Sequence, residues 1–547
     1  MMFNSIVFLL FFIIVVIIYY LIKPKYRWIL LLISSYIFYM SWKIEYIILI
    51  IISTLIDYFM GLKIYQSSNL KKRKIFLIIS LISNLGILFI FKYFNFFISS
   101  IGSIFTLFNI SYIPISLKVL LPVGISFYTF QTMSYTIDVY RKKLNPEKHL
   151  GRFAVYVSFF PQLVAGPIER ATNLLPQFSK ESEENKRLKY ENVKEGISLM
   201  IIGYFKKIVI ADNLAIIVNQ IYSNPTGYSS IMLIIATIFF SFQIYGDFSG
   251  YSDIARGISK IMGYDLMINF KRPYFAKSIG EFWKRWHISL STWFRDYLYI
   301  PLGGNKVTIK RNLFNLFLVF LISGIWHGAN YTFIIWGALN GIYLIIEKIY
   351  DIKFYKKDKY NNNINNDNND NNSINNENNN NNNENNENIN KKNINNIIIK
   401  NKIKKHKIIN QLENRSKINQ NNQLNNQKKI NTELKNIILI LKTYILTLFA
   451  WIFFRSNSLN DATIVIKRIF ITFNINNFLS EIKLLESYYF YLGIFIIVIY
   501  SFIEYLFEKE IIKKEKIKNV EIYLAIIIFV ILLIGNFVTS EFIYFQF

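Results

Sequence analysis

The stretch NLFNLFLVFLISGIWHGANYTFIIWGALNGIYLIIE, residues 312–347, contains two apolar runs on either side of the polar segment 323–330. Each run approaches the roughly 20 residues that an α-helix needs to cross a bilayer core. Similar runs recur along the 547-residue chain, which is 53% hydrophobic. The pattern predicts an all-α polytopic membrane protein with about 11–12 transmembrane helices.

The predicted spans set an expected orientation. Basic clusters at 23–27, 71–74 and 141–143 follow the first, third and fifth spans. The loops after the second and fourth spans, near 42–45 and 95–114, contain Lys43 as their only basic residue. Because Lys and Arg collect in cytoplasmic loops, we expect the N-terminus outside the cell. The predicted spans are 3–22, 28–41, 44–60, 75–94, 115–138, 196–221, 230–250, 312–326, 331–347, 437–454, 488–507 and 520–540.

Composition narrows the function. The net charge of +27 comes from basic residues scattered in short loops, which favours membrane topology over nucleic-acid binding. The absence of cysteine excludes disulfides, thiolate metal sites and a thioester on the enzyme itself. The N-terminal run lacks a preceding basic residue and a cleavage site, so it predicts a first membrane helix and not a signal peptide. The chain has four histidines without helical metal-ligand spacing: His149, His287, His327 and His406.

Two segments depart from the pattern of long spans. Residues 153–168 are apolar but too short to span, hold two prolines and lie between basic loops, which predicts a re-entrant segment. The alternative is a peripheral loop on the membrane surface. Residues 251–311 interleave basic residues with Trp and Tyr, which predicts short amphipathic helices at the cytoplasmic interface.

One insert interrupts the apolar pattern. Between residues 361 and 390, 21 of 30 residues are Asn, and such polar sequence buries too little apolar surface to offset its ordering entropy. We therefore predict a membrane core at 1–354, a disordered cytoplasmic insert at 355–435, and the C-terminal helices of the core at 436–547. A recognition role is an alternative reading of the insert.

His327 is the most suggestive residue for chemistry. It follows Trp326 and lies on the order of 24 Å along a helix from Arg311, which marks the cytoplasmic edge. An ionisable residue within the membrane is a functional hypothesis by default. The flanking Gly324 and Gly328 would let a substrate or a neighbouring helix approach closely. A structural histidine hydrogen-bonded to a helix break is the alternative.

Two further polar groups are candidates. His287 lies among basic and aromatic residues that suit an anionic partner, such as the phosphate of a cofactor or of a carrier protein's prosthetic arm. The same residues also suit an interfacial anchor. Asp247 and Asp253 could orient a histidine or line a polar tunnel, or they could cap helices. The nucleophile elbow G-x-S-x-G and the P-loop are both absent from the sequence.

Several long motifs give the chain a family resemblance. At these residues it resembles the membrane-bound O-acyltransferase family, MBOAT, and it looks closest to the branch of alginate O-acetyltransferases and teichoic acid D-alanylation proteins. The resemblance covers nearly everything except the Asn-rich insert. The runs that carry it are LPVGISFYTFQ at 121–131, FPQ at 160–162, AGPIER at 165–170, 247–253, 282–304, IWHG at 325–328, WIFFR at 451–455 and FIYFQF at 542–547.

The resemblance implies a central tunnel with catalytic and lining residues. His327 matches the catalytic histidine of the family and His287 its second tunnel histidine. It further implies that a neutral imidazole of His327 acts as general base on an acceptor hydroxyl and that His287 helps to position the thioester or the developing oxyanion. The residues expected to line the tunnel are Trp286, Asp296, Tyr297, Trp326 and Asp247, and no metal is expected.

The expected reaction is transfer of an acyl group, and acetyl is the expected group. The expected location is the inner (plasma) membrane. The donor is an acyl thioester co-substrate, either acetyl-CoA or an acyl carrier, and no cofactor is permanently bound. The acceptor is an extracytoplasmic polysaccharide, reached directly or through an extracytoplasmic acyltransferase partner. Expected partners therefore are membrane lipid and, where the donor is an acyl carrier, that cytoplasmic carrier. Alternatives are a D-alanyl, lipid or protein acyltransferase and a polytopic transporter.

Overall fold

The computed structural model describes residues 1–110, 112, 115–117, 120–164, 166–372, 430–485, 487–512, 520–538 and 542–543, with the backbone alone for 354–372. Within these residues every secondary-structure element is helical, which confirms the all-α class. Seven of the described helices are long and apolar enough to cross a membrane. The prediction of a multi-pass membrane protein is thereby confirmed.

The first half of the chain alternates long apolar helices with short connecting ones. Their N-termini are held by side-chain caps where the sequence offers Ser or Asn, as at Ser5 before the first helix and Asn69 before the fourth. The helices are α1 (Ile6–Leu21), α2 (Arg27–Met40), α3 (Ile47–Gln66), α4 (Leu70–Leu88), α5 (Phe94–Leu107), α6 (Ile125–Tyr140), α7 (Leu150–Ser158), α8 (Phe160–Leu163), α9 (Ala171–Leu174), α10 (Lys180–Asn185), α11 (Tyr190–Tyr204) and α12 (Asp212–Ser223).

The second half contains the longest helices. Ser229 caps the first of these by accepting a hydrogen bond from the backbone N–H of Met232. The helices are α13 (Ser230–Ile261), α14 (Ile279–Arg285), α15 (Ile288–Phe294), α16 (Ile309–His327), α17 (Tyr331–Asn372), α18 (Ile430–Arg455), α19 (Leu459–Phe470), α20 (Phe478–Leu484), α21 (Ser487–Glu508) and α22 (Val520–Ile534).

The twelve predicted spans all contain a helix, but not all of the same length. Seven coincide with the long apolar helices, which include α13, α16 and α18. The other five contain helices of 16 residues or fewer. In the predicted span 115–138, α6 begins only at Ile125, because the preceding Gly124 has a left-handed φ of 74°. For these five spans, crossing of the membrane stays a prediction.

Close glycine contacts join α11 to α13. A Cβ on Gly203 would lie 2.7 Å from the carbonyl oxygen of Gly250, and one on Gly250 would lie 2.8 Å from that of Gly203. Two helical turns away, Gly196 of α11 and Gly257 of α13 form the same kind of contact. Small residues let two helix backbones approach this closely in apolar surroundings. These contacts fix the position of α13, whose buried polar residues include Gln243, Asp247 and Ser252, in the core.

Within the part of the chain that the structure describes, three π-helical turns interrupt the helices at polar residues. Phe89–Tyr93 joins α4 to α5 and contains Lys92. Phe205–Ala211 joins α11 to α12 and contains Lys207. Arg295–Tyr299 follows α15. Because a π-turn adds a residue to the helical repeat, it changes the direction of the side chains that follow, and such turns are frequent at functional sites.

The predicted re-entrant segment is broken and buried, as expected. α7 ends at Ser158 and the short α8 follows. The backbone groups freed by the break are satisfied by buried side chains: Ser35 Oγ accepts from Phe160 N at 3.1 Å, and Gln131 Nε2 donates to Tyr156 O at 2.5 Å. Non-helical backbone at membrane depth requires such partners. Whether the segment enters and leaves by the same membrane face stays a prediction.

Residues 251–311 contain the predicted short helices, and three of their tryptophans are buried inside the protein. α14 and α15 are seven residues each. Trp283, Trp286 and Trp293 are all buried in the hydrophobic core. Distant helices cover these three side chains, so they do not anchor the segment by facing lipid, and the position of the short helices at the cytoplasmic interface stays a prediction.

The described chain divides into two compact units. One consists of Met1–Ile345 and Tyr444–Phe547, and contains every candidate site residue; the other is Ile346–Thr443. Backbone helix continues in α17 to Asn372 and resumes at the start of α18. Most of the predicted insert, 373–429, lies outside the described residues, so its disorder and the domain boundaries stay predictions.

Candidate active site

His327 ends α16 inside an aromatic enclosure. The residue is 3% exposed. Its ring centroid lies 4.8 Å from that of Trp336, 5.0 Å from that of Trp326 and 5.3 Å from that of Phe454, in each case with edge-to-face geometry. Such surroundings exclude bulk water and favour the neutral imidazole, which is the form that can accept a proton.

The backbone before His327 is fixed by a tight contact between α16 and α17. A Cβ on Gly324 would lie 2.3 Å from the carbonyl oxygen of Phe333, and the Cα atom of Gly337 is at 3.0 Å. The sequence left open whether Gly324 admits a substrate or a neighbouring helix. The structure shows the neighbouring helix, and this contact positions the turn that carries the imidazole.

Lys92 and Tyr93 hold the C-terminal end of α16. Lys92 Nζ donates to the carbonyl oxygens of Trp326 and His327 at 3.0 and 2.8 Å. Tyr93 Oη donates to that of Ile325 at 2.9 Å. The last carbonyls of a helix lack partners within the helix, and a cation there also complements the helix dipole. Sequence reasoning missed Lys92, although a lysine inside the predicted apolar span 75–94 was a signal for it.

A small cavity lies beside His327. Its volume is about 50 Å³. It is lined by the run 121–127, before and at the start of α6, and by Lys92, Val164, Trp326 and His327. The imidazole thus borders a space in which a small group can sit next to a cation and a hydroxyl from Ser126.

His287 lies at the junction between α14 and α15 with a left-handed backbone, φ 43° and ψ 55°. This strained conformation is rare outside glycine and points the residue into the core. Its Nδ1 is 3.3 Å from Asn269 Oδ1, and the same oxygen accepts from Ser289 N at 3.1 Å and from Ser289 Oγ at 2.9 Å. Since the backbone N–H of Ser289 fixes the amide oxygen, Nδ1 must carry the imidazole proton and Nε2 is the acceptor.

Burial sets the charge of His287. The residue is fully buried and its ring packs 4.5 Å from the ring centroid of Phe248. Desolvation lowers the pKa of His287 to about 3, so the imidazole is neutral at physiological pH. Within the described residues, no group of three or more His, Cys, Asp or Glu side chains is placed to hold a metal ion.

Trp326 links the two histidines. Its ring centroid lies 6.4 Å from that of His287 and 5.0 Å from that of His327. Trp286 is also buried, but it packs on Phe270, Trp451 and Phe282, with ring centroids 5.1, 5.2 and 5.6 Å away. The structure therefore brings Trp326 into the site and places Trp286 in the aromatic layer behind it.

Tyr297 and Asp296 lie further from His327 than Trp326 does. Tyr297 Oη donates to Asp138 Oδ2 at 2.6 Å, and Arg170 stacks 4.9 Å from the centre of the tyrosine ring. Asp296 accepts from Arg295 Nε at 2.7 Å. A row of rings connects this group to the site. Successive ring centroids are 5.1 Å apart from Tyr297 to Trp293, 3.9 Å from Trp293 to Phe130, and 5.3 Å from Phe130 to Trp326.

Asp247 lies in the middle of α13 and forms a buried ion pair. Its Oδ1 is 2.7 Å from Lys207 Nζ, which also lies 2.9 Å from Asp212. Its Oδ2 accepts from the backbone N–H of Ile543 at 2.6 Å. Because α13 runs without a break through residues 243–253, Asp247 caps no helix end, and its alternative role in a polar tunnel stays a prediction.

Comparison with known proteins gives the family. Residues 147–362 match the model of MBOAT, the membrane-bound O-acyltransferase family. The chain is 44% identical over 353 residues to the "Probable alginate O-acetylase AlgI" of Pseudomonas putida, an alignment that covers 64% of this chain and 71% of that protein. The chain belongs to the membrane-bound O-acyltransferase family. The MBOAT assignment confirms the resemblance found in the sequence and decides for an O-acyltransferase over a transporter.

Two other MBOAT relatives differ in their acceptors. The "Peptidoglycan O-acetyltransferase" of Helicobacter pylori is 40% identical over 347 residues, covering 58% of this chain and 64% of the relative. The "Teichoic acid D-alanyltransferase" of Bacillus subtilis is 31% identical over 250 residues, covering 44% of this chain and 61% of the relative. An acyltransferase requires an acyl donor as co-substrate, and this coarser part of the donor prediction holds.

Proposed function

We propose that this chain transfers an acetyl group from a cytoplasmic thioester to a hydroxyl of a cell-surface polysaccharide, with His327 as the general base. The observation that carries the proposal is the position of His327, buried at the end of α16 and on the wall of a small cavity. Relatives at 40–44% identity bear acetylation names and act on glycans, whereas the D-alanyltransferase relative is at 31%.

The reaction needs two access routes that meet at His327. The acceptor hydroxyl reaches the imidazole from the extracytoplasmic side, where orientation by the positive-inside rule places the run 121–127. The neutral imidazole takes the hydroxyl proton as the oxygen attacks the thioester carbonyl, and returns it to the leaving thiolate. A histidine suits both steps, because the pKa of an imidazole in water is close to neutral pH.

His287 serves the donor. Its Nε2 is the acceptor nitrogen, so it suits a hydrogen bond from an N–H of the thioester's arm, and Trp326 lies between it and His327. The donor is acetyl-CoA or an acetylated carrier protein. The acceptor is the polysaccharide itself or a serine hydroxyl of an extracytoplasmic acyltransferase that completes the transfer. Trp286, Asp296, Tyr297 and Asp247 are proposed to support the tunnel and not to touch the reacting atoms.

The test is the acylated product in cells that carry wild-type chain, a gene deletion, or His327→Ala. We expect the surface glycan of wild-type cells to contain ester-linked acetyl, detected by mass spectrometry after mild base release, and both mutants to lose it. Loss of a general base lowers such rates by about 10²–10⁴-fold. His149→Ala is the matched control, because His149 is exposed and caps α7 away from the site. Retained acetylation in His327→Ala at normal protein level contradicts the proposal, and release of D-alanine in place of acetate corrects the acyl group.

A further inference from the structure

Lys92 shares the cavity wall with His327, and its contacts assign it a chemical task. The side chain is half-buried within a helix long and apolar enough to span the membrane. Two of its three N–H donors reach the carbonyl oxygens of Trp326 and His327. In the described part of the chain no carboxylate lies within ion-pair distance of Lys92. Its positive charge is therefore offset by carbonyl dipoles and by the face of the Trp326 ring, whose centroid is 5.9 Å from Nζ, and one N–H remains for a ligand in the cavity.

His287 is unsuited to the same task. An oxyanion requires a hydrogen-bond donor, and the only N–H of a neutral imidazole is already directed at Asn269. His287 also lies outside the wall of the cavity that His327 borders. The resemblance implied that His287 helps to position the thioester or the developing oxyanion; the geometry favours the thioester for His287 and leaves the oxyanion to a different residue.

Resting on the proposed function, we infer that Lys92 stabilises the oxyanion of the tetrahedral intermediate formed beside His327. The acceptor oxygen bonds to the thioester carbonyl carbon and its proton passes to the imidazole of His327. The carbonyl electron pair moves to oxygen, and this oxyanion accepts an N–H of the Lys92 ammonium. When the C=O bond re-forms, the C–S bond breaks and the thiolate takes the proton from His327, so the products are the acetyl ester and a free thiol.

A purely structural role makes a different demand on the same residues. If Lys92 served only to hold the end of α16, then Tyr93, which donates to the carbonyl of Ile325 in the same turn, would matter in the same way. Tyr93 does not line the cavity. Tyr93→Phe is therefore a matched control that loosens the same helix end without changing the charge beside the substrate.

The experiment measures acetyl transfer by the full chain in cells and in membranes prepared from them. Lys92→Met is expected to lower kcat by about 10²–10³-fold, as loss of one oxyanion donor does, with a much smaller change in KM for the donor. Lys92→Arg, which keeps the charge, is expected to retain more activity than Lys92→Met, and Tyr93→Phe to stay within about threefold of wild type. Wild-type kcat in Lys92→Met, with His327→Ala inactive, rejects the inference and leaves the proposed function intact. Activity in His327→Ala rejects the proposed base instead.

The absence of cysteine allows a second test that does not depend on the stability of one variant. Lys92→Cys introduces the only thiol of the chain. Alkylation with 2-bromoethylamine attaches an amine at about the length of lysine, whereas iodoethane attaches a neutral group of similar size, and intact mass reports the extent of each reaction. Recovery of activity with the amine alone supports the inference. Equal activity after both treatments overturns it.

Discussion

Lys92 and Lys207 occupy comparable places in the chain. Each lies in an apolar segment predicted to span the membrane, and each is carried by a π-helical turn. Lys207 is 1% exposed and lies 2.9 Å from Asp212 and 2.7 Å from Asp247. Among the described residues, Lys92 has no ion-pair partner; its Nζ donates to two backbone carbonyl oxygens and lies 5.9 Å from the ring centroid of Trp326. The two sites therefore differ in how the buried charge is balanced.

The difference separates stability from reactivity. Two carboxylates around Lys207 leave no positive charge for a ligand and tie α12 and α13 together, with Ile543 attached to the same Asp247. Carbonyl dipoles stabilise the Lys92 ammonium without cancelling its charge, so that charge stays available in the cavity beside His327. A buried lysine that is fully ion-paired is thus expected to hold the fold, and one held by carbonyls to act on a substrate.

The largest expected effect is loss of the Lys207 ion pairs. Lys207→Met leaves Asp212 and Asp247 buried without their cation, and such uncompensated charge costs about 3–5 kcal/mol. We expect a large drop in the midpoint of thermal unfolding in detergent and a low yield of folded protein. A variant that also carries Asp212→Asn and Asp247→Asn should recover part of the loss. An unchanged midpoint for Lys207→Met would remove the structural half of the comparison.

A smaller loss is expected from the carboxylate that anchors the C-terminal segment. Asp247→Ala removes one of the two ion pairs of Lys207 and the acceptor of the Ile543 N–H. Together these losses lower the free energy of unfolding by about 2 kcal/mol. Asp247→Asn keeps an oxygen that can accept from Ile543, and should lose less. Limited proteolysis read by mass spectrometry should show faster cleavage near the C-terminus in Asp247→Ala than in Asp247→Asn. Equal cleavage of both variants and wild type contradicts the anchor.

Lys92→Met should change stability least among the lysine variants while changing activity most. The substitution removes two hydrogen bonds at a helix end, which lowers the free energy of unfolding by about 2 kcal/mol. Its unfolding midpoint should therefore lie nearer to wild type than that of Lys207→Met, measured in the same detergent. If the two lysine variants lower the midpoint by the same amount, the distinction between a structural and a reactive lysine is lost.

The sequence predicted the parts of this comparison that are local. The apolar runs of 312–347 predict α16, α17 and the position of His327 between them, because helix formation and burial follow from neighbouring residues. The basic and aromatic neighbours of His287 made it a candidate, and the resemblance supplied its role in the tunnel. The contacts of Lys92 with Trp326 and His327 join residues 234 and 235 positions apart, and no pattern within one span contains them. The same holds for Trp286, which looks like an interfacial residue until Trp451 covers it.

Glu169 extends the comparison to a buried acid, and gives the smallest effect. The carboxyl group accepts from the backbone N–H of Met267 at 2.5 Å and from Asn173 Nδ2 at 2.7 Å. Burial, only partly offset by these hydrogen bonds, raises the pKa of Glu169 from 4.5 to about 7. Because its pKa is higher folded than unfolded, the folded protein binds a proton between these pH values that the unfolded chain has lost. Stability should therefore rise by about 1 kcal/mol as the pH falls from 8 to 6.

Thermal unfolding in detergent at pH 6, 7 and 8 measures this dependence, and Glu169→Gln is its control because the amide does not titrate. The difference between wild type and variant isolates the contribution of Glu169 from those of other groups. A difference that grows as the pH falls through 7 supports a carboxyl group without a close cation. A constant difference means that Glu169 is ionised in the folded protein and that a cation compensates its charge, as Lys207 does for Asp247. Ion pairs would then balance buried charge at both acids, and Lys92 would be the exception as a charged residue without an ion pair.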